Sequence, residues 1–170
     1  NKFITYENVF DQSTLRGLFK VSSQGYFDEI KSPVKIGKES NVFTVESGDE
    51  LRIVKVYRTA ASFAKMMDYM RADPRYMNVN GSKLTVVYAW AKKEFANLLK
   101  ARKGGVTVPT PYAVHKNILC MEMIGDSTPA PMLHKRSPDN IELFYKRLRR
   151  EIKKLYKARL VHTDISEYNI

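Results

Sequence analysis

Hydrophobic and polar positions recur in two rhythms along the chain, and the changes of rhythm mark its elements. A helical spacing comes first. Leu15, Leu18 and Phe19 fall on one face, Asp11 stands where a cap is wanted, and Gly25 stands where a helix stops. After Pro33 the period shortens to two, in β-branched runs over residues 34–36, 41–45 and 51–57, the last two separated by the turn Ser47-Gly48-Asp49. These runs predict an antiparallel meander. Side chains along a strand alternate faces, so Leu51, Ile53, Lys55 and Tyr57 share one. Lys55 is thus an ammonium group on an otherwise apolar face.

Residues 58–83 contain Met66, Met67, Met70 and Met77 with Tyr69 and Tyr76, interrupted by Asp73-Pro74. The pattern predicts a short helix and then a mobile loop, with the methionines serving packing rather than a cofactor. From about residue 84 to residue 103, the spacing of Val87, Ala91, Leu98 and Ala101 predicts an amphipathic helix ended by Gly104-Gly105. Glu94 lies on its apolar stripe. A carboxylate there is costly without a partner, so the sequence itself asks for a cation beside it. Two short strands over residues 112–115 and 118–124 follow, with Lys116-Asn117 as their turn, and Pro129 and Pro131 mark an extended connector. Ser137 as cap with Pro138 at the first helical position opens a long helix whose expected core face is Ile141, Phe144, Leu148, Ile152 and Leu155. The succession of helix, sheet, helix, sheet, connector and helix is α+β.

Composition narrows the class. With 170 residues, 44% hydrophobic and 28% charged, the chain has the make-up of a folded globular protein and not of a disordered one. Its longest apolar run, residues 86–91, falls far short of the ~20 needed to cross a bilayer, so no membrane partner is expected. The first residues lack a secretory layout and Cys120 stands alone, which together point to a cytoplasmic protein without an intramolecular disulfide. Neither Cys120 nor His115, His134 and His162 has zinc-ligand spacing. The net charge of +11 favours polyanionic partners. Eight Lys or Arg against three Asp or Glu between Asp139 and Arg159 concentrate that charge on the last helix. Such a face is either a solvated helix side or a surface for RNA phosphates.

The sharpest chemical signal is the tail His162-Thr163-Asp164-Ile165-Ser166-Glu167-Tyr168-Asn169. An Asn five residues after an Asp that follows a His by two is the spacing of the protein-kinase catalytic loop, where the Asp accepts the proton of an attacking hydroxyl and the Asn ligates magnesium. A short polar turn could carry the same string, and context decides the matter. Lys55 and Glu94 supply the cation and supporting carboxylate that such a phosphotransferase sets on the phosphates. The turn Ile36-Gly37-Lys38-Glu39-Ser40-Asn41 has a single glycine and by itself suits a plain hairpin connection. It is no Walker A loop, because Lys38 is followed by Glu39 rather than Ser or Thr.

Five blocks in order carry a family resemblance. Gly37-Lys38-Glu39-Ser40-Asn41-Val42, Val54-Lys55-Val56-Tyr57, Trp90-Ala91-Lys92-Lys93-Glu94-Phe95 with Asn97-Leu98, Met121-Glu122-Met123-Ile124-Gly125 and the tail from His162 to Asn169 resemble the RIO family of atypical Ser/Thr protein kinases, of the archaeal type without a full winged-helix domain. The resemblance implies a protein-kinase-like two-lobe fold. Residues 1–32 would be an N-terminal helical extension, 33–124 an antiparallel-sheet N-lobe with its helix, reaching the hinge, and 125–170 a connector and the start of a helical C-lobe, incomplete after the catalytic loop. It implies that Lys55, paired with Glu94, contacts the α- and β-phosphates of ATP, that Ser40 touches a phosphate, and that the Glu122 carbonyl and Ile124 amide bind adenine. Asp164 would be the catalytic base and Asn169 the ligand of Mg2+, for which Mn2+ could substitute.

The resemblance further implies action on the pre-ribosomal small subunit or its rRNA, and autophosphorylation as an accessible reaction. Thr163 and Ser166 stand where typical kinases have Arg and Lys, which fits the RIO pattern and removes the usual receptor for a phosphorylated activation loop. The second metal-binding Asp of kinases would lie beyond Ile170. Since the sequence also starts at Asn1, a piece of a longer protein is expected. Two other readings stay open: a small-molecule phosphotransferase of the same fold, and a non-catalytic scaffold that binds nucleotide and rRNA.

Overall fold

The first helix starts where the sequence offers a side-chain acceptor. In the computed structural model, which describes residues 10–59, 63–76, 79 and 82–170, Asp11 Oδ1 accepts the Thr14 N–H at 2.8 Å and opens α1, Gln12–Ser23. Gly25, at φ +81°, turns the chain out of it. The buried face is Thr14, Gly17, Leu18 and Val21. Phe19, expected inside, is 64% exposed, because the stripe that meets the sheet steps by three and four through 14, 17, 18 and 21 and passes it by. Gly17 permits the close approach: a Cβ there would sit 2.7 Å from Ile118 Cδ1.

Five antiparallel strands follow the order β1-β2-β3-β5-β4. They are β1 (Glu29–Ile36), β2 (Ser40–Ser47), β3 (Glu50–Tyr57), β4 (Pro111–His115) and β5 (Ile118–Glu122). β1 starts at Glu29 rather than after Pro33. It is an edge strand, where a residue without an N–H is tolerated, and its register shifts between Pro33 and Lys35. Pairing of Phe43 with Val54, and of Val54 with Cys120, sets one face of the sheet. That face, with Val45, Val56 and Ile118, joins Leu18 and Val21 of α1 and the flanking Phe10, Phe27 and Ile30 in one hydrophobic core. Each fully buried side chain of this kind contributes roughly 1.5–3 kcal/mol, so this cluster holds α1 on the sheet. The opposite face carries Lys55, paired with Val42 on β2 and Leu119 on β5.

α2 (Phe63–Arg71), a single 3-10 turn (Pro74–Tyr76) and α3 (Lys83–Lys103) follow β3. Met66, Met67 and Met70 are buried, which makes them packing residues. Met77 lies outside the described residues. Asp73 accepts from the backbone and guanidinium of Arg75 and pairs with Lys93 of α3 at 3.2 Å, and Lys93 also donates to the Tyr69 carbonyl. These bonds hold the Asp73 carboxyl well below the usual range, with Arg75 the largest cause. They fasten the segment after α2 to the α3 residue next to Glu94.

Among the described residues the chain divides into two compact units, residues up to Ala96 with Pro111–Met123, and Asn97–Thr110 with Ile124–Ile170. In the second unit, α3 stops where Gly105 takes φ +74° and the Val106 N–H reaches back to the Ala101 carbonyl. Gly104 lets α4 come close, since a Cβ there would sit 2.8 Å from that of Ala158. α4 is Ile141–Lys157, and its cap is Asn140, whose side chain accepts the Leu143 N–H at 2.8 Å, rather than Ser137 with Pro138. Asn140 is extended (φ −130°, ψ 101°) directly before the first helical residue, so its side chain reaches back to satisfy that orphan donor. Phe144, Leu148 and Leu155 are half-buried as expected, but Ile141 is 70% and Ile152 38% exposed. Glu151 accepts from Lys154 and from the Thr107 N–H, which together lower its carboxyl pKa. No helix among the described residues is long and apolar enough to cross a membrane.

Candidate active site

Alternation along β3 delivers two side chains to one spot. Lys55 and Tyr57 project from the same face, and Glu94 reaches them from α3. Lys55 Nζ donates to Glu94 Oε1 at 2.9 Å and to Oε2 at 2.8 Å. The Tyr57 hydroxyl donates to Oε2 as well. The Tyr57 ring lies 4.9 Å from the Lys55 ammonium, a cation–π distance, and is itself buried. Burial, reinforced by the Glu94 charge, raises the phenol pKa well above its ordinary value, so Tyr57 stays a donor. The main chain of Tyr57 is pinned too: its N–H donates to the Asn117 carbonyl and its carbonyl accepts from Asn117 Nδ2.

The turn before β2 is a hairpin in which the Gly37 N–H donates to the Ser40 carbonyl at 3.0 Å, an approach that leaves a Cβ at Gly37 only 3.0 Å from that oxygen. Ser40 opens β2 opposite Tyr57, on the same sheet face as Lys55. Arg58 secures this turn from β3's end, its N–H donating to the Glu39 carbonyl and its guanidinium to the Gly37 carbonyl at 3.4 Å. Glu122 closes β5 opposite Arg52. Ile124, two residues on, is exposed, and its carbonyl accepts from Ala130.

In the second unit α4 ends through Arg159, in the left-handed region at φ +55°, and the chain enters a tight loop. Thr163, β-branched, also sits there at φ +60°, a conformation that costs about 1–3 kcal/mol and that persists only where surrounding bonds dictate it. Those bonds are present. The Asp164 N–H donates to the His162 carbonyl, and Asn169 Nδ2 donates to both the Asp164 carbonyl and Asp164 Oδ2 at 2.9 Å. From outside, the Leu133 N–H donates to the Ile170 carbonyl and the His134 N–H to that of Glu167, while the His134 and Tyr168 rings stack 4.7 Å apart. Asp164 is exposed. Because the Asn169 amide nitrogen is committed to Asp164, its carbonyl oxygen is left as an acceptor. An amide oxygen is a hard donor of the kind magnesium accepts, and magnesium takes one or two protein ligands and fills its shell with phosphate oxygens and water.

The structure therefore brings Lys55 together with Glu94, and Asp164 together with Asn169, and sets Ser40 on the Lys55 face. Tyr57, Arg58 and His134 were not singled out from the sequence as parts of the site. Only Tyr57 had a legible signal, its place two residues beyond Lys55 on the same face.

A five-stranded antiparallel sheet with a strand lysine bonded to a helix carboxylate belongs to the protein-kinase-like fold. Two crystal structures of the Rio2 kinase from Chaetomium thermophilum share it, one of them an ADP/Mg2+-phosphoaspartate complex. They match with TM-scores of 0.60 and 0.59 at 20% identity, over 82% and 81% of this chain and 42% and 39% of theirs. Residues 41–170 match the RIO domain, and the chain belongs to the RIO family. It is 40% identical to the RIO-type serine/threonine-protein kinase Rio1 of Haloferax volcanii and 37% identical to that of Methanocaldococcus jannaschii, alignments that take in 100% and 98% of the chain. It spans 60% and 58% of the length of these two relatives. The human serine/threonine-protein kinase RIO1 is 32% identical, with 31% of its length covered.

Proposed function

We propose that this chain carries the phosphate-gripping pair and the catalytic loop of an ATP-dependent RIO-type serine/threonine protein kinase or ATPase. The observation that carries the reading is the ion pair in which Lys55 spends two hydrogen bonds on one carboxylate, leaving a fixed positive charge on the sheet face that also holds Ser40. In this reading Lys55 binds the α- and β-phosphates, Glu94 orients it, Ser40 donates to a phosphate oxygen, and the Glu122 carbonyl and Ile124 amide bind the adenine edge. Asp164 takes the proton of the attacking hydroxyl as the γ-phosphoryl group moves to that oxygen and ADP leaves. A base so placed adds about 10²–10⁴-fold, the remainder coming from positioning and charge. Asn169, through its carbonyl oxygen, is the residue that would hold Mg2+ or Mn2+. The metal, when bound, neutralises phosphate charge.

The setting we infer is the cytoplasm, with the pre-ribosomal small subunit or its rRNA as partner and autophosphorylation as a side reaction. Supporting this, Arg147, Arg149, Arg150, Lys153 and Lys157 all stand exposed on α4. The same exposed basic face favours a second reading, a nucleotide- and rRNA-binding scaffold without turnover. Magnesium-dependent ATP consumption, measured with and without small ribosomal particles, separates the two. Turnover that rises with the particles supports the enzyme, and bound but unconsumed ATP under both conditions supports the scaffold.

A further inference from the structure

Among the described residues Glu94 is held by two groups, and only one of them belongs to the lysine–carboxylate pair. The second is the Tyr57 hydroxyl on Oε2. Tyr57 is poorly placed to be a mere space-filler: its ring is 2% exposed, its backbone is clamped on both sides by Asn117, and its oxygen is carried to the same carboxylate that Lys55 grips from two residues away. The ring face also lies beside the Lys55 ammonium. We propose that Tyr57 is a positioning residue, a second tether that keeps the Glu94 carboxylate at the sheet when Lys55 shares its ammonium with the phosphates of a nucleotide.

Nucleotide phosphates and Glu94 compete for the Lys55 ammonium. An ammonium has three donors. Two of them point at Glu94. Phosphate oxygens drawing on the same ammonium weaken its hold on the carboxylate, and a carboxylate held by nothing else would then be free to drift with α3. The phenol has one proton to give, and among the described residues it goes to Glu94; its raised pKa keeps that proton in place across the physiological range. Glu94 therefore remains a fixed reference point from which Lys55 reaches the ligand. On this view α3 sits docked with no need for a phosphorylated loop to push it in.

This inference rests on the reading of Lys55 as a phosphate ligand, and its test is built to fail separately from it. Mg–ATP dissociation constants are measured for the protein, for Y57F, for K55M and for the double variant. Y57F retains the buried ring and so the packing. The expected result is a rise in the ATP dissociation constant of about 3- to 10-fold for Y57F in the Lys55 background, with no further rise when Y57F is added to K55M, since Tyr57 acts through the ion pair. An equal rise in both backgrounds, or none in either while K55M weakens binding, overturns the tether. Unchanged ATP affinity in K55M overturns the phosphate-ligand reading instead. Should Y57F not fold, tyrosine 13Cζ spectra of the unsubstituted protein and of E94Q serve. The Tyr57 phenol should ionise at lower pH once the neighbouring charge is gone, and an unmoved titration would overturn the proposal.

Discussion

Lys55 and Glu94 meet through both carboxylate oxygens, at 2.9 and 2.8 Å, with side chains 22% and 29% exposed. This is neither a surface pair that water would dissolve nor a buried one whose desolvation would cancel its gain. A partly exposed cation, fixed in direction and still reachable, suits the binding of a polyphosphate.

Replacing Lys55 by Met should therefore raise the dissociation constant for Mg–ATP by about 10- to 100-fold, the loss of a charge-assisted contact of roughly 1.5–3 kcal/mol. The fold should survive, because Glu94 keeps the Tyr57 bond. Calorimetric titration with ATP and a thermal melt check both halves.

Asp73 gives a pH-dependent prediction. Its folded pKa lies below the unfolded carboxylate value of 3.8, so its stabilisation is present above that value and disappears as pH falls through the lowered one. Asp73→Asn should cost roughly 1 kcal/mol at neutral pH, discounted for the exposure of Arg75. The gap between wild type and variant, followed by urea unfolding, should be full above about pH 5 and close progressively below about pH 4.

The cap of α4 is testable in the same way. Asn140→Ala should lower stability by about 1 kcal/mol, and Ser137→Ala should change it by less than about 0.5 kcal/mol, both read from urea midpoints. The reverse order would restore Ser137 as the cap.

If the α4 face meets RNA, replacing Arg150, Lys153 and Lys157 together by Ala should weaken binding to single-stranded rRNA segments and flatten the slope of log affinity against log salt by about 2. Fluorescence anisotropy at several salt concentrations measures it. An unchanged slope would remove this face from the interface.

How much of this was legible beforehand follows from the kind of signal each residue carries. Strand alternation put Lys55 among apolar neighbours and helical spacing put Glu94 on a buried stripe, and each implied the other, because a partly buried charge demands its opposite. The Asp164 and Asn169 pairing is local in sequence, so its spacing was visible directly. What escaped was set by contacts distant in the chain. Phe19 has the right spacing but falls beside the face that Gly17 brings against Ile118. Asn140 and Ser137 are both good caps, and only the path of the backbone chooses between them. The α4 stripe was legible as amphipathic, yet Ile141 and Ile152 are exposed, since periodicity tells which face is apolar and not how much of it is covered. Alternation placed Tyr57 on the face of Lys55, and nothing in the spacing said that its hydroxyl would end on Glu94. His134 reaches Tyr168 across 34 residues, a contact no local pattern encodes.

In the proposed reading Asp164 handles a proton while Lys55 and its partners handle the nucleotide. Its most direct test is Asp164→Ala, with turnover and ATP affinity measured on the same preparation in the presence of magnesium. A fall in kcat of about 10²–10⁴-fold is expected, with the ATP dissociation constant changed by less than about twofold. Turnover that persisted near the wild-type rate, or ATP affinity that fell along with it, would contradict the account.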